Sequence, residues 1–262
     1  MIYLAPRYLP ILQSKGIANY AQLSTACQGE IINDSGKNTT WRDHWQFENE
    51  DFRVYIKRYQ YPLTLRYLYP RIPRALVEMN SYLYWQQCGI PGPEVIAAGA
   101  HNQFGFHRSS LIITREIRAA QDLVQLCGQP GFYQDQALLT SVFDQLADIL
   151  ATAHQARFYH FDLHFRNIMV ARPEDKLPPR VYWIDSPRGK RKSFASRYLQ
   201  AKDLACLYRA CHEQHWPQMW QRLSARYYDK MAYDQATINR LKKAISRRLS
   251  RRADTREMND PI

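Results

Sequence analysis

The 262-residue sequence predicts an α+β protein, a small antiparallel sheet followed by a larger helical part. Three observations predict it. Short strand-like runs bounded by Gly, Pro and polar turns dominate as far as Ile117. Runs at helical spacing dominate from Ala137 onward. The length also suits two lobes of about 100–150 residues each, read here as 1–113 and 114–262.

Residues 1–30 carry mixed helical patterning and end in Gly29-Glu-Ile-Ile, a strand start. Thr39–Tyr59 reads as a strand pair: NTTWRDHWQF, a polar turn at Glu48-Asn-Glu-Asp, then FRVYIKRY. Pro62, Pro70 and Pro73 interrupt the stretch between this pair and the first long helix. From Arg74, ALVEMNSYLYWQQCG has helical spacing and stops at Gly89, a C′ glycine. IPGPEVIAAGA and SSLIITREI are two apolar strands. Ala137–Arg157 places Leu138, Val142, Leu146, Ile149 and Leu150 near one helical face. Asn167–Val170 and Val181–Ile184 read as strands flanking a polar Pro-rich turn, and Ser193–Arg252 is mainly helical.

The charge balance is 36 Lys+Arg against 24 Asp+Glu, a net +12, which favours an anionic partner. The five cysteines are scattered with no C-x-x-C pair, so neither a disulfide framework nor a zinc site is expected. The N-terminus lacks a signal-peptide pattern, and no window approaches eighteen uninterrupted apolar residues. A protein that is cytosolic or peripheral to a membrane is expected.

The chemistry concentrates in Tyr159-His-Phe-Asp-Leu-His-Phe-Arg-Asn-Ile-Met-Val170 and Val181-Tyr-Trp-Ile-Asp-Ser-Pro-Arg-Gly189. Asp162 and Asn167 offer a carboxylate and a neutral oxygen from one loop, and Asp185 follows an apolar strand. Two carboxylates and an amide oxygen suit a hard cation and phosphoryl transfer from Mg·ATP. The order His-x-Asp-x-x-x-x-Asn, strand, turn, strand, Asp is that of a protein-kinase-type catalytic loop and its metal-binding Asp. Upstream, Val54-Tyr-Ile-Lys57 ends in a Lys on a strand, and Glu78 lies in the next helix as an ion-pair partner.

Asp162-Leu-His-Phe-Arg-Asn-Ile168 is similar to the D-L-H-x-x-N-I form of small-molecule and sugar kinases. With Thr39-Thr-Trp-Arg42, Arg74-Ala-x-x-Glu78, Gly89-Ile-Pro-x-Pro93 and Ile184-Asp-x-x-Arg-Gly189, the chain resembles the bacterial lipopolysaccharide core kinase family, which includes heptose and Kdo kinases. The resemblance spans Thr39 to Leu207. It implies a two-lobed protein-kinase-like fold, with ATP and Mg²⁺ as cofactors and lipopolysaccharide core or its lipid-linked precursor as acceptor.

By that resemblance Asp162 orients or deprotonates the acceptor hydroxyl, and Asn167 and Asp185 hold Mg²⁺. Lys57, steadied by Glu78, grips the phosphates. Ile113–Ile117 forms the hinge, with Glu116 and Ile117 against the nucleotide, and Asp203 braces the catalytic loop. His160 orients that loop. The sequence departs from the kinase pattern in three places. No G-x-G-x-x-G is present, so Ser35-Gly-Lys-Asn-Thr39-Thr40 would cover the nucleotide. Phe161 replaces the usual Arg beside the catalytic Asp, and Asp185-Ser-Pro lacks the Phe of the protein-kinase triplet.

Alternatives stay open on the sequence alone: a kinase of another small alcohol, a pseudokinase or binding module, and a nucleic-acid binder suggested only by charge and unsupported by any module. Asp203 also suits a plain N-cap. His164 suits either a structural bond or an acceptor phosphate, and His154 reads as packing. Arg188, Lys190, Arg191, Lys192 and Arg197 are candidates for an anionic acceptor. In Arg240–Arg252, Leu241, Ile245 and Leu249 recur at i, i+4, i+8 among basic residues. Such a helix either docks on its own domain or lies on an anionic bilayer.

Overall fold

The computed structural model describes residues 1–47, 50–65, 71–129, 131–172 and 178–257, with side chains as far as Ser250. Parts of three expected features, the turn at Glu48-Asn49, Pro70 and the Pro-rich turn after Arg172, lie outside the described residues. The chain divides into two compact units. One comprises Met1–Gln86, Gly92–Arg118 and Ser186–Arg188; the other comprises Gln87–Pro91, Ala119–Asp185 and Gly189–Ile262.

The first unit opens with β1 (Ile2–Leu4), α1 (Leu9–Ser14) and α2 (Tyr20–Thr25). α1 and α2 meet the helical expectation for the N-terminus, and β1 adds a strand before them. It is a three-residue edge strand, too short to leave an alternating pattern. β2 (Glu30–Asp34), β3 (Asn38–Phe47) and β4 (Glu50–Gln60) come next, so Glu50 and Asp51 belong to a strand and not to the expected turn. Gly29 precedes β2 at φ +101, where a Cβ would collide with the Arg42 carbonyl.

α3 (Arg74–Gln87) leads to Gly89 at φ +70, the left-handed stop expected from sequence. β5 (Val95–Gln103) and β6 (Phe106–Arg115) complete an antiparallel sheet in the order β1-β5-β6-β4-β3-β2. Its inner face carries Val54, Ile56, Ile96, Leu111 and Ile113 against Ile11, Leu12 and Leu23 of the N-terminal helices. Alternation along β4 produces this face: Phe52, Val54 and Ile56 are buried, while Asp51 and Arg53 are exposed.

The second unit begins at β7 (Ala120–Asp122), α4 (Leu123–Cys127) and α5 (Gln136–Gln155). Asp135 caps α5 by accepting from the Leu138 amide at 2.9 Å. Leu139, Val142, Phe143, Leu146 and Leu150 form the buried stripe of α5, at helical spacing. β8 (Phe158–Tyr159), β9 (Ile168–Ala171), β10 (Arg180–Trp183) and β11 (Lys190–Arg191) succeed it. β9 sits between β7 and β10, and β8 pairs with β11. α6 (Arg197–Glu213), α7 (Pro217–Lys230) and α8 (Gln235–Glu257) end the described chain.

α8 bears on one open reading, whether its apolar stripe docks on its own domain or faces a bilayer. Leu241 and Ile245 are 1% and 4% exposed, and the helix packs on α6. Leu241 and Ile245 are thus consumed inside the unit, while Leu249 is half-buried.

Candidate active site

The catalytic-loop segment is held from behind by α6. After α5, Arg157 at φ +60 turns the chain into β8, which delivers His160, Phe161 and Asp162. Asp203 points at this turn from within α6. Its Oδ2 accepts from the His160 amide at 2.9 Å and its Oδ1 from the Phe161 amide at 2.8 Å. The carboxylate is fully buried, so two charge-assisted bonds stabilise a loop in which Phe161 is held at φ +68. Ser196, and not Asp203, is the N-cap of α6, accepting from the Leu199 amide. The plain-cap reading of Asp203 is therefore excluded.

His154, expected to be mere packing, stands behind Asp203. Its Nε2 is 3.4 Å from Asp203 Oδ2 and its Nδ1 is 2.8 Å from the Tyr227 hydroxyl. His160 is buried and donates through Nε2 to the Ile184 carbonyl at 3.0 Å, which leaves Nδ1 facing the Asp162 amide at 3.4 Å. Desolvation pushes the His160 pKa below its ordinary value, so the ring is neutral and structural. It joins the Asp162 turn to the strand end that carries Asp185.

Asp162 is about a quarter exposed, and His164 Nε2 lies 3.2 Å from its Oδ1. The His164 hydrogen bond, with the nearby Arg166 charge, outweighs burial and holds the Asp162 pKa below its ordinary value. His164 thus partners the predicted catalytic carboxylate, a role its sequence position two residues on left undecided.

Asn167 closes a 3₁₀ turn (Phe165–Asn167) and donates its Nδ2 to the Asp162 carbonyl at 2.7 Å. With the amide nitrogen so committed, Oδ1 is the atom left to act as a ligand. The β9–β10 register pairs Ile168 with Trp183, and the Ile184 amide donates to the Asn167 carbonyl at 3.0 Å. Asn167 and Asp185 therefore leave adjacent strand ends, Asp185 at φ +57. Among the described residues no group of three or more His, Cys, Asp or Glu side chains forms a metal cluster. One amide oxygen and one carboxylate are nevertheless the hard, sparse donor set that suits Mg²⁺ with phosphate and water completing its shell.

In the first unit Lys57 Nζ lies 3.6 Å from Glu78 Oε2. Glu78 is also clamped by two hydroxyls. Tyr59 donates to Oε2 and Tyr82 to Oε1, each at 2.7 Å. Neither tyrosine was picked out from sequence, although Tyr82 is four residues beyond Glu78 on α3 and Tyr59 two beyond Lys57 on β4. The ammonium also sits 5.2 Å above the Tyr59 ring.

Thr40 is paired directly with Lys57 across β3 and β4 and shares its face, whereas Thr39 opposes Arg58 and bonds to Asp34. The Ser35–Asn38 turn is tied by its own side chains, and the Asp34 carboxylate accepts from the Gly36 amide. Of the expected hinge, Ile113–Arg115 lies inside β6, and the Glu116 amide donates to the Arg53 carbonyl at 2.9 Å. Tyr55 donates to the Glu116 carboxylate at 3.2 Å, so that side chain is held by the sheet; Ile117 is the next residue along the chain.

The fold is protein-kinase-like. It is similar to a solved structure described as WaaP in complex with acyl carrier protein, with a TM-score of 0.72 and 17% sequence identity over 97% of this chain and 98% of that one. The chain belongs to the lipopolysaccharide kinase (Kdo/WaaP) family, whose model matches residues 24–227. No curated protein matches it in sequence. Among the described residues no helix is long and apolar enough to cross a membrane.

Proposed function

We propose that this protein transfers the γ-phosphoryl group of ATP to a hydroxyl of a heptose or Kdo sugar in the lipopolysaccharide inner core. Family membership supports a phosphotransferase, and one observation carries the reading to a mechanism. A single turn, pinned by Asp203, presents an ionised Asp162 beside an Asn167 whose amide nitrogen is already occupied.

In this reading Asp162 accepts a hydrogen bond from the acceptor hydroxyl and aims its oxygen at the γ-phosphorus. As the new P–O bond forms, the bond to the β,γ-bridging oxygen breaks, ADP leaves, and the hydroxyl proton passes toward Asp162. The depressed pKa makes Asp162 a weak base, so orientation is its main contribution. That suffices for a loose transition state, in which little proton removal is needed. Asn167 and Asp185 would hold Mg²⁺, which would supply charge neutralisation for the phosphates. Lys57, kept in place by Glu78, is assigned to the same phosphates, and Thr40 and Ile117 to the nucleotide. The enzyme is assigned to the cytoplasm, where ATP is available.

The test is mass spectrometry of core oligosaccharide stripped of phosphate and incubated with Mg·ATP. Wild type is expected to add one phosphate, and Asp162→Asn, which loses the charge that orients the hydroxyl, to lose about 10²-fold in rate with its fold retained. Wild-type-like turnover by Asp162→Asn would refute the assignment.

A further inference from the structure

With Leu241 and Ile245 of α8 buried, another surface of the second unit has the composition of a membrane contact. Between Gly189 and Asp203 the chain carries Lys190, Arg191, Lys192, Arg197 and Lys202 and no acidic residue. Within this stretch Phe194 is 84% exposed and Tyr198 64% exposed, among the most exposed large aromatic side chains in the described chain. Lys190, Arg191, Lys192 and Arg197 are exposed around them.

The segment is held in shape at several points. β11 pairs with β8, placing Lys190 opposite Tyr159, and the Lys192 amide donates to the Arg157 carbonyl at 3.0 Å. The Ser196 amide donates to the Tyr159 hydroxyl at 2.7 Å. Two aromatic side chains are thus displayed on an ordered backbone, so little ordering cost remains to be met on binding.

Cations are also crowded here. Arg248 of α8 stacks 5.5 Å from the Tyr198 ring and donates to its hydroxyl at 3.3 Å. Lys202 lies 4.2 Å over Phe161, the residue next to Asp162. Burial first, then the Arg248 charge, lowers the Lys202 pKa. A negative counter-surface would relieve that repulsion.

We propose that the 190–198 segment, through Phe194 and Tyr198 within their ring of Lys and Arg, is a docking surface for an anionic lipid bilayer. Exposed aromatics flanked by cations match the interfacial zone of such a bilayer, where rings sit at headgroup depth and each nearby cation strengthens binding. Contact here would bring the loop carrying Asp162 to the membrane surface, since β8 joins the two directly. The inference rests on the kinase reading only for its purpose, delivery to a lipid-anchored acceptor.

The experiment is co-sedimentation of the full chain with phosphatidylcholine vesicles, with and without phosphatidylglycerol, for wild type, Phe194→Ser/Tyr198→Ser and Lys190→Gln/Lys192→Gln. Folding is checked by thermal melting, and each protein is assayed on soluble core oligosaccharide. Wild type is expected to sediment only with phosphatidylglycerol present. The aromatic pair should weaken binding at least tenfold with soluble-acceptor turnover unchanged, and the lysine pair should weaken it about fivefold per cation removed. Wild type that stays in the supernatant, variants that sediment as it does, or a parallel loss of soluble-acceptor turnover in the aromatic pair would each overturn the proposal. In the last case the segment is an acceptor site. If wild type transfers no phosphate at all, the kinase reading fails, and the sedimentation comparison still decides the docking surface.

Discussion

Asp203 offers the sharpest test of how the loop carrying Asp162 is held. Its carboxylate is fully buried and accepts two backbone amides, from His160 at 2.9 Å and Phe161 at 2.8 Å. Hydrogen bonds to a charged acceptor contribute about 1.5–3 kcal/mol each, and a buried donor left unpaired costs about 1–3 kcal/mol. Asp203→Asn keeps one oxygen and loses the charge, so one amide retains a neutral bond of about 1 kcal/mol and the other faces an NH₂ group. The net loss is about 2–4 kcal/mol, and Asp203→Ala, which orphans both amides, should lose about 3–6 kcal/mol. The assay is amide hydrogen exchange read at His160 and Phe161, with urea unfolding alongside. At 1.4 kcal/mol per factor of ten, exchange at both amides should accelerate about 10²-fold in the Asn variant and further in Ala. An Asn variant within about 0.5 kcal/mol of wild type, or an Ala variant no worse than Asn, would show that the loop is held by something else.

Three further outcomes are expected. Removing both hydroxyls that clamp Glu78, in Tyr59→Phe/Tyr82→Phe, should cost about 1–3 kcal/mol and raise the KM for ATP more than it lowers kcat; an unchanged KM would detach the clamp from nucleotide binding. His160 is buried with a lowered pKa, so as pH falls below the ordinary imidazole value of about 6.5 the unfolded chain takes up a proton that the folded chain refuses. Stability should then fall with pH by at most about 1.4 kcal/mol per unit from this group. Urea unfolding at pH 7.5 and 5.5 should show a shallower loss for His160→Gln, and equal losses would refute that origin. Leu241→Ala should destabilise the second unit by about 2–4 kcal/mol, as a core deletion does; a change under about 0.5 kcal/mol in urea melts would mean that α8 is not docked.

Much of the candidate site was legible in sequence because its parts are local or set by strand periodicity. The spacing from Asp162 to Asn167 is one turn, and Asp185 follows an apolar strand whose end any hairpin register must bring near Asn167. Lys57 and Glu78 could be assigned because a strand Lys and a helix Glu occur in the expected order. The partners that hold these groups were not legible. Tyr59, Tyr82 and His154 are ordinary core residues by composition, and only packing shows which hydroxyl or ring nitrogen meets which carboxylate. The short strands β1, β7, β8 and β11 left no periodic signal, since each exists only through its pairing partner.

The sequence by itself determined the α+β pattern, the basic charge and the order of the kinase motifs, all of which derive from residue type and near-neighbour spacing. Tertiary structure decided between readings that local pattern leaves equal. It placed Asp203 inside α6 as a brace and not a cap, and it turned Leu241 and Ile245 inward while Phe194 and Tyr198 remained exposed. An apolar side chain has no intrinsic address. Whether it meets core or solvent depends on the surface presented by residues distant in sequence, and a spacing rule does not contain that information.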